Sequence, residues 1–291
     1  MMLYNIDCIM GMKQYIDNEA IDLIIADPPY FKVINEKWDY IWRTEDDYLN
    51  WSEKWISEFS KVLRKGGSLY LFGYFRMLCK LLPLLEKCGF ELRQQIIINK
   101  GIRAVTGRAT KNYKMFPNVT ESILFLYKDN KSFVKQLLKE RQKFLGLTSK
   151  EINEALGVKS NGGGMWSIYT GKNISKQFPT KEMWNKLENI LDFSYSYDKL
   201  SQTYNTQLGI TDVWDDIDFY KDKNKIHPTQ KPKKLIERLI LTSSNEKDII
   251  LDPFAGSGIV YKVCNQLNRN YIGFEINKEY FNKGYKNVRY C

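Results

Sequence analysis

The sequence predicts an α/β protein: a seven-stranded, mostly parallel sheet with helices on both faces, plus a small all-helical domain inserted into it. Three observations predict this. Seven short apolar runs, "MLYNI", "IDLIIA", "SLYLFG", "QQIIIN", "SILFLY", "DIIL" and "YIGFEI", read as strands. Several are apolar without alternation, as strands become when helices cover both faces of a sheet. Helix-like segments lie between them, including 47–63 and 232–241, the latter with Pro232 in its first turn. The third observation is a helical stretch, 131–192, that contains no strand-like run.

The elements follow in chain order. "IDLIIA" runs into "DPPYF", where an acid, two prolines and two aromatics form a stiff corner. Adjacent prolines fix φ and donate no N–H, so they stop the strand and hold Asp27 and Tyr30 in a nearly fixed relation. In open α/β sheets ligands bind beyond the carboxyl ends of strands, which is where Asp27 falls. A second motif falls there too. In "ILDPFAGSGIV", Gly256 and Gly258 follow a strand and precede a helix, so the backbone turns tightly and can approach a ligand. About twenty residues on, "YIGFEIN" closes the next strand with Glu275, placed to accept hydrogen bonds from a ribose diol. Tyr261 stands where a dinucleotide fingerprint wants its third glycine, so the pair reads as a nucleoside-cofactor site of Rossmann-like type and not as a pyrophosphate loop.

Between 131 and 192, Val134, Leu137, Leu138, Arg141 and Leu145 keep helical spacing. Thr148 with Glu151 makes a capping box, Gly157 marks a helix end, and Trp184, Leu187 and Leu191 share the face of a further helix. The expected division is therefore 1–130 with 196–291 as a discontinuous α/β domain, and 131–195 as the insert.

Composition bounds the function. With 291 residues and 43% hydrophobic content the chain can build a large core, and a net charge of +10, from 44 Lys+Arg against 34 Asp+Glu, suits a polyanionic partner. Five cysteines without a CxxC pair and a lone histidine, His227, speak against a disulfide framework or a zinc site; metal-free chemistry is expected. No leader-like N-terminus or long apolar run is visible, so the expected location is the cytoplasm, without membrane attachment.

"DPPY", "DPFAGSG" and "HPTQKP", with "RKGGSLYLFG" in register, resemble the amino-group DNA methyltransferases that use S-adenosylmethionine, in the permuted order that places the catalytic motif before the cofactor motif. The resemblance implies a catalytic corner of Asp27, Pro28, Pro29 and Tyr30. It implies a cofactor loop of Asp252, Phe254, Gly256, Ser257 and Gly258, and Glu275 as the ribose acid. Asp7 resembles the acid that contacts the cofactor's adenine, with capping of the following helix as its other reading. Thr229 and Lys231 resemble contacts to the cofactor's methionine end, and His227 a structural hydrogen-bonder. The implied reaction is transfer of a methyl group to the exocyclic amine of a flipped adenine in double-stranded DNA, with Tyr30 as the face on which the base stacks.

The insert is similar to the helix-turn-helix domains of phage repressors, with a recognition helix around Met165 to Thr170, and it sits where these enzymes carry target recognition. A loop over 32–46 is expected to cover the pocket, with Trp38 and Trp42 either packing at its base or touching DNA. The basic segment 103–114 is expected to meet phosphates or to remain a solvated loop. Departures from the family pattern are Asn99 before Lys100, where the family often has Trp, and Thr120, where a histidine is common. N4-cytosine methylation uses the same scaffold but usually a Ser-led motif. RNA adenine methylation, protein-glutamine methylation and a catalytically inactive DNA-binding regulator are the remaining alternatives. A cognate restriction endonuclease is a possible partner, and monomer and homodimer both stay open.

Overall fold

The computed structural model describes residues 1–31, 41–105, 114, 116–158, 164–171, 177–221 and 230–289. The chain forms two compact units, 1–128 with 203–291, and 129–202. The sequence had placed the insert's edges at 131 and 195.

In the larger unit the described residues form an eight-stranded sheet, one strand more than expected. Its strands are β1 (Met2–Tyr4), β2 (Ile21–Ala26), β3 (Leu63–Gly73), β4 (Phe90–Asn99), β5 (Thr120–Lys128), β6 (Val213–Trp214), β7 (Ile249–Asp252) and β8 (Asn270–Phe274), in the order β1-β8-β7-β2-β3-β5-β4-β6. The addition is β6, two residues in "TDVWDD" that pair in parallel with Ile97 and Ile98. So short a strand leaves no apolar run for a sequence pattern to register. β5 runs antiparallel to both β3 and β4, and the other pairings are parallel.

Successive side chains of β2 enter opposite cores. Ile24 and Ala26 pack with α1 (Cys8–Tyr15), α2 (Glu45–Val62) and α3 (Phe75–Lys87) through Met12, Trp55, Phe59, Leu78 and Leu81. Leu23 and Ile25 face the core formed with α9 (Lys233–Ser243) and α10 (Ile259–Gln266), where Leu235, Leu239, Val260 and Val263 sit. Cover on both faces is why these strands carry no polar alternation. Helix α2 starts two residues before the expected 47, because Thr44 and Asp47 form a reciprocal capping box. Pro232 is the residue that precedes the first turn of α9.

The smaller unit contains α4 (Lys131–Leu145), α5 (Ser149–Ala155), α6 (Gly164–Thr170), α7 (Lys181–Leu191) and α8 (Tyr197–Leu200) around a core of Val134, Leu138, Ile152, Trp166, Trp184 and Leu187. Thr148 and Glu151 form the expected capping box. Buried Asn153 of α5 accepts the Trp166 N–H at 3.0 Å, and a Cβ on Gly164 would meet its amide at 2.7 Å, so α5 and the start of α6 are locked by one side chain and one glycine. Neither α6 nor any other helix among the described residues is long and apolar enough to cross a membrane.

Candidate active site

The parallel strands bring their carboxyl ends to one edge of the sheet. There β2 gives Asp27, β7 ends in Asp252 and β8 leads into Glu275. Because β5 is antiparallel, it delivers its first residues, Thr120 and Glu121, to the same edge. Lys231, just before α9, completes the group.

Asp27 lies at the centre of a charged cluster. The Tyr30 hydroxyl donates to Asp27 Oδ1 at 2.9 Å, and Lys231 Nζ lies 2.8 Å from Asp27 Oδ2 and 2.9 Å from Glu121 Oε1. The Tyr48 hydroxyl donates to the carbonyl of Pro29 at 3.1 Å, which ties the proline corner to α2. Burial pushes the Asp27 carboxyl up, opposed by the Lys231 charge and raised further by Glu121. Glu121 is held below the usual carboxylate range: Lys231 and Lys100 outweigh the opposing effect of its burial. Lys231 is itself buried, yet its two carboxylate neighbours hold it above the usual lysine value, so it stays charged.

The glycine loop is built around Glu275. Gly256 N–H donates to Glu275 Oε2 and Asn277 N–H to Oε1, both at 2.7 Å, while Ala255 N–H donates to the Phe274 carbonyl at 2.9 Å. Asp7 caps α1, accepting from the N–H groups of Ile9 and Met10, and it also lines the cavity; both sequence readings of this residue are compatible with its position.

A cavity of about 450 Å³ joins the proline corner to the glycine loop. Asp7, Asp27, Pro28, Pro29, Tyr30, Lys231, Asp252, Phe254, Gly256, Ser257 and Glu275 all line it. Gly258 does not; it caps α10 with a φ of +74°, and a Cβ placed there would come within 3.5 Å of the Gly284 Cα. Thr229 and His227 lie outside the described residues, as do Trp38 and most of the basic segment 103–114. Trp42 is buried against Tyr48 and Trp51 and also lines the cavity, which realises the packing reading. Lys231, expected near the cofactor's methionine end, places its ammonium between Asp27 and Glu121. Glu121 escaped the sequence reading, although a carboxylate opening the otherwise apolar run "SILFLY" was the signal.

Asp252 is buried at the cavity wall and hydrogen-bonded by the Tyr271 hydroxyl at 3.3 Å; burial pushes its carboxyl up to about 8. Between an unfolded value near 4 and that figure, the folded chain holds a proton that the unfolded chain has lost. Stability therefore falls as pH rises across this window, by up to about 1.4 kcal/mol per pH unit, and levels off above it. Asp252→Asn removes this dependence. Urea unfolding from pH 5 to 9 is expected to show the variant gaining on the wild type as pH rises to 8; a constant gap would refute a buried neutral acid.

Residues 21–286 match the family of N6/N4 DNA methylases. The chain belongs to that family. This DNA methylase is 31% identical over 286 residues to the type II methyltransferase M.HpaI of Haemophilus parainfluenzae, across 94% of this chain and 69% of the relative. It is 29% identical to the DNA adenine methyltransferase YhdJ of Escherichia coli K12, across 97% and 80% of the two chains. The methylase shares its fold with the crystal structure of the M1.HpyAVI-SAM complex, at a TM-score of 0.57 and 20% identity over 98% of each chain. It also shares it with the cytosine-N4-specific PvuII DNA methyltransferase, at 0.59 and 15% over 99% and 86%.

Proposed function

We propose that the methylase transfers a methyl group to the N6 amine of a flipped adenine within a specific DNA sequence, as the modification enzyme of a restriction-modification pair. The observation that carries this reading is Asp27, fixed by the two prolines at the wall of the cavity that also holds Glu275 and the glycine loop. S-adenosylmethionine, the molecule in the M1.HpyAVI complex, supplies an electrophilic sulfonium methyl. The cavity fits it: Glu275 offers acceptors for a ribose diol beside a backbone turn, and Trp51, Phe254 and Ile6 offer apolar walls.

An exocyclic amine is a weak nucleophile because its lone pair is delocalised into the ring. Asp27 accepts one of its N–H groups and the Pro28 carbonyl the other, and both contacts strengthen as positive charge develops on nitrogen. A second cavity, of about 280 Å³, shares Tyr30 and Phe72 with the first and adds Phe31, Tyr48 and Tyr74. Its aromatic walls suit a base out of its stack. Adenine is favoured over cytosine by the acid at position 27 and by the adenine specificity that the Escherichia coli relative's name states. The PvuII likeness makes the fold neutral on this point.

For the unit 129–202 we infer target recognition, with α5 and α6 in the helix-turn-helix roles and the early residues of α6 toward bases. The test is to express the chain in a host without DNA methylation and sequence modified bases in its DNA. N6-methyladenine in one motif is expected; N4-methylcytosine there would replace the adenine reading, and unmodified DNA would reject both.

A further inference from the structure

Lys231 creates a difficulty for the proposed chemistry. An ammonium 2.8 Å from Asp27 neutralises the carboxylate that is meant to attract a nitrogen becoming positive. The cation cannot be screened by water, since its side chain is only 8% exposed and it lies 5.1 Å from the centre of the Phe72 ring and 5.6 Å from that of Tyr30. Glu121 resolves this. Its Oε1 sits 2.9 Å from the same ammonium, and its side chain is 11% exposed.

We propose that Glu121 is a positioning residue for methyl transfer: it anchors Lys231 against Asp27 and returns to the corner the negative charge that Lys231 cancels. Asp27, Lys231 and Glu121 together carry one net negative charge in contact; the Lys231 and Glu121 side chains are enclosed by protein and Asp27 opens on the cavity, a setting in which charge acts more strongly than in bulk water. Lys100 lies 3.5 Å from the other oxygen of Glu121 and acts chiefly on that residue, whereas the charges that act most on Asp27 are Lys231 and Glu121. At 2.9 Å from the Lys231 ammonium, Glu121 Oε1 supplies this contact with its charge. The inference rests on the reading of Asp27 as the acceptor of the target amine.

Substitutions that keep shape and change charge therefore test it. Glu121→Gln is expected to lower kcat on the order of tenfold or more while leaving KM for both substrates within a few-fold, a modest share of what an electrostatic contact to a transition state is worth. The pH profile supplies the signature. Among the described residues, the charged or titratable groups around Asp27 are Tyr30, Lys231, Glu121 and, more distantly, Asp252. Removing the Glu121 charge removes a repulsion, so Asp27 stays ionised to lower pH and the acid limb of kcat moves down. Lys231→Met leaves two carboxylates facing each other, so the acid limb moves up. A structural role alone does not move the limb in opposite directions. Circular dichroism and calorimetry of S-adenosylmethionine binding establish that each variant is folded. Should Lys231→Met not fold, Glu121→Asp takes its place and is expected to recover part of both kcat and the wild-type limb. Unmoved limbs and kcat in an active enzyme, or no recovery with aspartate, overturn this inference; a wild-type chain that methylates no DNA overturns instead the reading beneath it.

Discussion

Asp27→Ala is expected to reduce methyl transfer by at least 10²- to 10³-fold, the range measured when one preorganised electrostatic contact to a transition state is removed. Binding of DNA and of S-adenosylmethionine is expected to persist. The fold should survive, because Lys231 keeps its second partner, Glu121, 2.9 Å away, and because loss of a desolvated carboxylate also removes a cost of burial. Tyr30 and the prolines remain to shape the pocket. Asp27→Asn retains an acceptor without charge and is expected to fall between the wild type and alanine. Single-turnover transfer from radiolabelled cofactor, paired with a DNA-binding titration, measures both halves. Transfer at the wild-type rate in Asp27→Ala would remove this residue from the chemistry, and loss of DNA binding would show that the corner is structural.

Much of this site was legible in the sequence because rigid local chemistry leaves a mark that needs no tertiary information. Two prolines after an apolar run announce a fixed corner, and glycines between a strand and a helix announce a turn that approaches a ligand. The apolar strands likewise betrayed helices on both faces. What stayed hidden depends on pairing across the chain. β6 is two residues long and exists as a strand because β4 offers it an edge. Glu121 and Lys231 are 110 positions apart and meet because β5 runs antiparallel and starts where β2 ends. The motif points Lys231 toward the cofactor, and Lys231 does line the cavity, but nothing local reveals that an acid from another strand sits beside it. Asn153 is a similar case: an ordinary helical residue by pattern, it caps the next helix from inside the core.

Glu275 is expected to affect binding where Asp27 affects rate. Its two oxygens each take a backbone N–H at 2.7 Å, from Gly256 and from Asn277, so the same carboxylate that would accept the ribose diol also braces the loop beneath it. Hydrogen bonds to a charged group are worth about 1.5–3 kcal/mol each, so Glu275→Ala is expected to weaken S-adenosylmethionine binding about 10- to 100-fold. At saturating cofactor kcat should stay within a few-fold, because Asp27 and the Pro28 carbonyl are untouched. Glu275→Gln is the sharper variant. An amide has one oxygen, so one of the two N–H groups must then face an NH2 that is also a donor, and a ribose hydroxyl loses an acceptor as well. Gln is therefore expected to lose nearly as much affinity as Ala despite its matching shape. Calorimetric titration of both variants reads this directly; wild-type affinity in Glu275→Gln would mean that neither the brace nor the diol depends on a carboxylate at this position.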